Sequence, residues 1–180
     1  MALKATIFKA KISLSNLNVH FYDELTLTIA RHPSENNLRM MARILAYLLA
    51  AQEKPLFTKG ISSDTEPDLW VINNDGSIDH WIELGHLDEK RIRQSSSKAK
   101  KISIYSYQGN HSQQWFNSIE NNLSRFSNLD IIHFTFPKDQ NIENFAERDM
   151  SFSCSIEDSE IWLSTEKDRI CIHFQFLKKS

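Results

Sequence analysis

The stretch Glu66-Pro67-Asp68-Leu69-Trp70-Val71-Ile72-Asn73-Asn74-Asp75-Gly76-Ser77-Ile78-Asp79-His80-Trp81-Ile82-Glu83-Leu84-Gly85 decides the fold. Residues 69–72 and 78–84 read as strands, and the Asp75-Gly76 pair between them is a strong short-range hairpin signal. An acid enters the first strand at Asp68 and another stands on the second at Glu83. A hairpin can bring these two carboxylates together, and paired oxygen donors suit a hard cation such as Mg²⁺. Glu83 stands out because it lies between Ile82 and Leu84 in a core-like run, and a buried acid needs a partner or a metal. The plainer reading has Asp68 capping a strand and Glu83 pairing with a nearby Arg, since structural ion pairs also put acids in such places.

Downstream, residues 88–101 (DEKRIRQSSSKAKK) carry acids at the front and bases at the back, which suits a helix dipole. Residues 102–107 read as a strand, 112–126 as a helix through Trp115, Ile119, Leu123 and Phe126, and 129–136 as a buried strand. Strand, helix, strand in that order predicts a parallel crossover unit. Upstream, residues 3–15 and 19–30 alternate apolar with polar and predict two antiparallel strands. A helix follows from about Ser34, with Leu38, Met41, Leu45 and Leu48 on one stripe widened by Ile44 and Leu49. Residues 150–156, 160–164 and 170–177 read as a terminal β-meander able to pair with the N-terminal hairpin. The expected class is α/β (α+β overall), a single domain over 1–180 with a core at about 31–136 and a β-extension from 1–30 and 149–178.

With 180 residues, 41% apolar and only four Gly and four Pro, the chain can build one well-packed core and is not a disordered or linker-dominated polypeptide. Its net charge of −2 gives no global basic field for nucleic acid or an anionic membrane, so any such contact needs a local patch. The charge is segregated, about +4 over residues 88–101 and −6 over 139–169. The basic segment can approach phosphates, although a charge run is usually a solvated face. No long apolar stretch is present, so a soluble cytoplasmic protein without a membrane role is expected.

Other chemistries find little support. The seven His show no HExxH or comparable ligand spacing, and no G-x-S-x-G elbow, Walker loop or G-x-G-x-x-G fingerprint occurs. Cys154 and Cys171 lie in apolar runs and read as reduced core thiols. Trp70, Trp81, Tyr105 and Tyr107 read as strand packing rather than base-stacking platforms. Glu35, before Arg39 and Arg43 at helical spacing, is expected either to pair along the helix or to point from its N-terminus into a cleft.

Several separated segments together resemble the YaeQ family of bacterial proteins: Met1-Ala2-Leu3-Lys4-Ala5-Thr6-Ile7, Arg31-His32-Pro33-Ser34-Glu35, Glu66-Pro67-Asp68-Leu69-Trp70, and Trp81-Ile82-Glu83-Leu84-Gly85 with Asp88-Glu89-Lys90-Arg91. The resemblance covers essentially the whole chain. It implies a fold similar to the PD-(D/E)XK restriction-endonuclease core, with extra β-structure. Carried over residue by residue, it places the first acid at Asp68, the second at Glu83 and a helical acid at Glu35, with Asp68 and Glu83 as Mg²⁺ ligands. Where that pattern wants Lys, this chain has Gly85, and Lys90 or Arg91 is the nearest substitute. From the charge of the basic segment, and independently of the resemblance, Arg91, Arg93 and Lys98 are the residues that would make any contact with DNA or RNA. Two functions follow: a Mg²⁺-dependent nuclease acting on phosphodiesters, or a catalytically inactive nuclease-fold module that binds nucleic acid or a protein partner.

Overall fold

The structure is a computed structural model that describes residues 4–59, 61 and 63–180. Leu3, expected at the head of the first strand, lies outside the described residues. In chain order the elements are β1 (Thr6–Asn16), β2 (Phe21–Arg31), α1 (Asn37–Leu49), β3 (Leu56–Phe57), β4 (Leu69–Ile72), β5 (Ile78–Leu84), α2 (Glu89–Ser96), β6 (Ala99–Ser106), α3 (Asn110–Ile119), β7 (Leu129–Thr135), β8 (Asp149–Glu157), β9 (Glu160–Ser164) and β10 (Arg169–Lys178). The class is mixed α+β. Two compact units are formed, one from residues 1–52 and 135–174, the other from 53–134 and 175–180.

In the first unit the strands run in the order β2-β1-β8-β9-β10. β1 and β2 form the expected antiparallel pair, and β8 lies parallel to β1 with Lys9 opposite Asp149. β9 is antiparallel to both β8 and β10. Alternation sets the buried face: Phe8, Ala10, Ile12 and Leu14 on β1, and Ile170, Ile172 and Phe174 on β10. Helix α1 starts at Asn37, later than expected, because the Asn36 side chain accepts the Arg39 N–H at 2.8 Å and so supplies the cap. Its buried set includes the expected Met41, Ile44, Leu45 and Leu48, and also Met40, Ala42, Arg43 and Ala46. The helix is therefore enclosed over most of its circumference rather than along one stripe.

In the second unit the order is β7-β6-β5-β4-β3. The β4–β5 hairpin turns on residues 73–76, where Gly76 takes a φ of +83° that an L side chain rarely adopts. Strands β5, β6 and β7 are parallel, joined by α2 and α3, as the strand–helix–strand order predicts. Trp81, Ile92, Ile102, Ile104, Phe116, Leu129 and Ile131 belong to one buried cluster. Two boundaries differ from expectation. Helix α2 stops at Ser96 and β6 already begins at Ala99, which pairs with Ile78, so Lys98, Lys100 and Lys101 are not helical. Helix α3 ends at Ile119, and Leu123 and Phe126 enter the core from the turns that follow.

Candidate functional site

Asp68 immediately precedes β4 and Glu83 is the penultimate residue of β5, and the antiparallel register pairs Leu69 with Ile82. The Asp68 N–H donates to the Ile82 carbonyl at 3.0 Å, and Asp68 Oδ2 accepts the Leu84 N–H at 2.8 Å. The first acid therefore reaches across to the backbone on the far side of Glu83. Both acids are buried.

Both oxygens of Glu83 accept from donors. Arg91 Nη2 donates to Oε1 at 2.6 Å and Arg91 Nε at 2.9 Å, while Trp81 Nε1 donates to Oε2 at 2.9 Å. Ser95 Oγ lies 3.5 Å from Oε2 but has its single hydrogen on the Arg91 carbonyl at 2.9 Å. A carboxylate offers about four lone-pair positions, and three N–H donors from Arg91 and Trp81 take two on Oε1 and one on Oε2. Helix α2 aims Arg91 because Asp88 caps it through the Arg91 N–H at 2.7 Å, leaving Ile92 and Ser95 buried beneath the helix. The rest of the guanidinium donates to the Asp64 and Glu66 carbonyls and lies 5.4 Å from the Trp81 ring centroid. Arg91 thus ties the 64–66 segment, β5 and α2 together.

Above this pair lies an open cleft of about 360 Å³, lined by Asp64, Glu83, Asp88, Lys90, Arg91 and Gln94 together with Ser63. Lys90 and Arg93, three apart on α2, are exposed, as is Lys98 just beyond it. Among the described residues these three cations make no ion pair, whereas Lys100 pairs with Asp79 and Lys101 lies 3.9 Å from Glu53 and Asp130. Lys98 places its ammonium 5.6 Å from the Trp81 centroid.

Gly85, which stands where the resemblance wants lysine, has a φ of +108°. The chain has left the extended strand conformation there, and a side chain is strained in that region whatever the space around it.

Glu35 belongs to the first unit, where it precedes the Asn36 cap instead of opening the first helical turn. Its carboxylate pairs with Arg39 at 3.0 Å and Arg43 at 2.7 Å, and the Glu35 and Arg43 side chains are each 2% exposed. Arg43 also donates to the Ala30 carbonyl at 3.1 Å, so the ion pair fastens the end of β2 to α1. Among the described residues, no group of three ligating side chains within 4.8 Å of one another includes Glu35, Asp68 or Glu83.

Two arrangements escaped the sequence reading. Glu53 Oε2, His80 Nδ1, His80 Nε2 and Ser103 Oγ form a relay with both contacts at 2.8 Å. It has the connectivity of an acid–histidine–serine triad, but His80 and Ser103 are each only 2% exposed, so no substrate reaches the hydroxyl. The hydrogen bond from His80 holds Glu53 below its usual carboxyl value, against the opposing effect of burial. The second arrangement involves Cys171. Cys154 is buried, and burial pushes its thiol up to about 12, as a core thiol requires. Cys171 is only half-buried, on the face of β10 that carries Arg169 and His173, which corrects its assignment to the core. The alternation Arg169-Ile170-Cys171-Ile172-His173-Phe174 held that information, because it places Cys171 in phase with the polar residues.

Residues 1–174 match the family described as YaeQ protein. The chain is 38% identical over 170 residues to the Escherichia coli (strain K12) protein named "Uncharacterized protein YaeQ", covering 94% of each, and 36% identical to the protein of that name from Salmonella typhi over the same share. The crystal structure of YaeQ from Xanthomonas axonopodis pv. citri superposes with a TM-score of 0.93 at 30% identity, covering 98% of this chain and 99% of that one. The Pseudomonas syringae YaeQ structure gives 0.89 at 26% identity, covering 98% and 97%. From the first β-strand to the last, therefore, this chain belongs to the YaeQ family.

Proposed function

We propose that this protein is a non-cleaving module, similar in core to the restriction endonucleases, that takes the phosphate backbone of nucleic acid against the exposed cations Lys90, Arg93 and Lys98. The observation that carries this reading is the engagement of both Glu83 oxygens by Arg91 and Trp81. For Glu83 to ligate Mg²⁺, Arg91 would have to leave a near-buried carboxylate, and Asp68 already accepts a backbone N–H. As arranged, the two acids do not fit a hard cation that needs open oxygen donors near 2.1 Å. Gly85 supplies no cation to orient a water or polarise a phosphate, and Arg91 is committed to Glu83 and two carbonyls. Polyanion binding requires none of this. It needs exposed, unpaired cations along one path, which α2 and the residue that follows its end supply.

The nuclease reading keeps one specific support, the cleft in which Asp64, Glu83 and Asp88 face Arg91. Fluorescence anisotropy with labelled single- and double-stranded DNA and RNA, in chelator and in Mg²⁺, separates the two. The expected result is salt-sensitive binding, equal in both buffers and without cleavage. Neutralising Lys90, Arg93 and Lys98 together should flatten the log–log salt slope by about one unit per lost phosphate contact. Cleavage in Mg²⁺ that disappears in Asp68→Asn and Glu83→Gln would establish the nuclease instead. An absence of salt-sensitive binding at low ionic strength would leave a protein-interaction module.

A further inference from the structure

On the exposed face of β8, β9 and β10 the register lines up charge in rows. Glu157 stands opposite Glu160, and Glu160 opposite His173; one pleat along, Ser155 stands opposite Trp162 and Trp162 opposite Cys171. Glu160, Cys171 and His173 each offer one ligand atom, and these atoms lie within 4.8 Å of one another. Cys171 Sγ is 3.9 Å from His173 Nε2, while Glu160 Oε1 is 3.8 Å from the other ring nitrogen, Nδ1. With one imidazole nitrogen as ligand, the three atoms are mutually within 4.8 Å and not all at the shorter distances. Bonds of about 2.0–2.3 Å to a tetrahedral ion bring such atoms to roughly 3.3–3.6 Å of one another. Closing that gap on one imidazole nitrogen requires the Glu160, Cys171 or His173 side chain to turn towards the ion.

We propose that Glu160, Cys171 and His173 bind a borderline-soft divalent transition-metal ion of the Zn²⁺ class. Thiolate and imidazole select such an ion over Mg²⁺ or Ca²⁺, which prefer all-oxygen sites. Trp162 Nε1 donates to Glu160 Oε2 at 3.0 Å, fixing the carboxylate and leaving Oε1 towards His173, the kind of outer support that metal ligands commonly have. A separate observation points the same way. Glu157 and Glu160 face each other across the β8–β9 pair, an arrangement that costs stability unless a cation offsets it. Glu157 and Asp158 line the same shallow pocket as Glu160 and His173. The nearby cation, Arg169, is stacked 3.8 Å over the Trp162 ring. On binding, the thiol releases one proton to solvent and coordinates as thiolate, so the ligand set carries −2 against the +2 of the ion. The fourth position is open to water or to an external ligand.

The test uses the whole chain, stripped with chelator and titrated with Co²⁺ and Zn²⁺. One equivalent of Co²⁺ should give a thiolate-to-cobalt charge-transfer band with tetrahedral d–d absorption, and one equivalent of Zn²⁺ should bleach both. Cys171→Ser should abolish the charge-transfer band. Trp162→Phe should weaken binding roughly 10- to 100-fold, as loss of an outer-shell partner does. All of these side chains lie on the outward face of the strands, and circular dichroism verifies that the variants fold. Excess Mg²⁺ should not displace the cobalt. A wild-type protein with no charge-transfer band, or a band that survives Cys171→Ser, overturns the proposal.

Discussion

At the scale of single residues, Arg91 and Glu83 are each other's reason for being where they are. Removing one partner of a buried ion pair strands a charge, which costs about 3–5 kcal/mol. Arg91 is partly exposed, so Arg91→Ala should fall at or below about 3 kcal/mol, read as a shift in the urea midpoint. Glu83→Gln should also destabilise. A nuclease carboxylate pair held in mutual repulsion would instead gain stability from the same change, so its sign distinguishes the two states of the site. Gly85 adds a second residue-scale expectation. Gly85→Lys restores the amino acid of the nuclease pattern but meets a φ of +108°, and should destabilise by about 1–2 kcal/mol without conferring cleavage. Glu83 could be singled out in the sequence because an acid between Ile82 and Leu84 on a strand demands a partner. Its partner could not be named, since Arg91 lies on another element and reaches Glu83 only because Asp88 caps α2 at that register.

At the scale of elements, α1 shows what periodicity captures and what it leaves out. The spacing of Leu38, Met41, Leu45 and Leu48 was enough to find the helix. The burial of Arg43 depends on Glu35 and on the Ala30 carbonyl, which no helical period encodes. Leu45, with no exposure, should cost about 2–5 kcal/mol as Leu45→Ala. Arg43→Met should cost at or below about 3 kcal/mol, because Glu35 loses its 2.7 Å partner but keeps Arg39, whereas the double change Glu35→Gln with Arg43→Met should recover part of that loss. Thermal or urea unfolding of the four proteins closes the cycle, and additive losses would show that the pair is not coupled. The end of α2 departs from the helical pattern for a related reason. Lys98, Lys100 and Lys101 continue a polar run that suits a helix, but Ala99 pairs with Ile78, and a strand edge is set by its neighbour rather than by local composition.

For the molecule as a whole, pH reads out groups that none of the sequence motifs exposed. Burial lowers His133 from its ordinary 6.5, with His86 adding to the effect, so the fold favours the neutral ring. The unfolded chain therefore takes up protons first. Stability from this source is fully present above about pH 6.5 and falls as pH drops from there through the folded-state value. His86 is lowered by burial too, with His111 adding to the effect, and acts in the same window. Glu53 is lowered from 4.5 by its hydrogen bond with His80, and its contribution is complete above the ordinary glutamate range and lost as pH falls through the folded value. Acid should thus weaken the protein in two steps, one beginning near neutrality and one below about pH 4.5. Urea midpoints measured from pH 8 to pH 3 should show His133→Gln flattening the upper step and leaving the lower one, and Glu53→Gln doing the reverse. If stability instead rises between pH 7 and pH 5, or if either substitution alters both steps alike, the burial of His133 and the Glu53–His80 bond are not what sets the acid response.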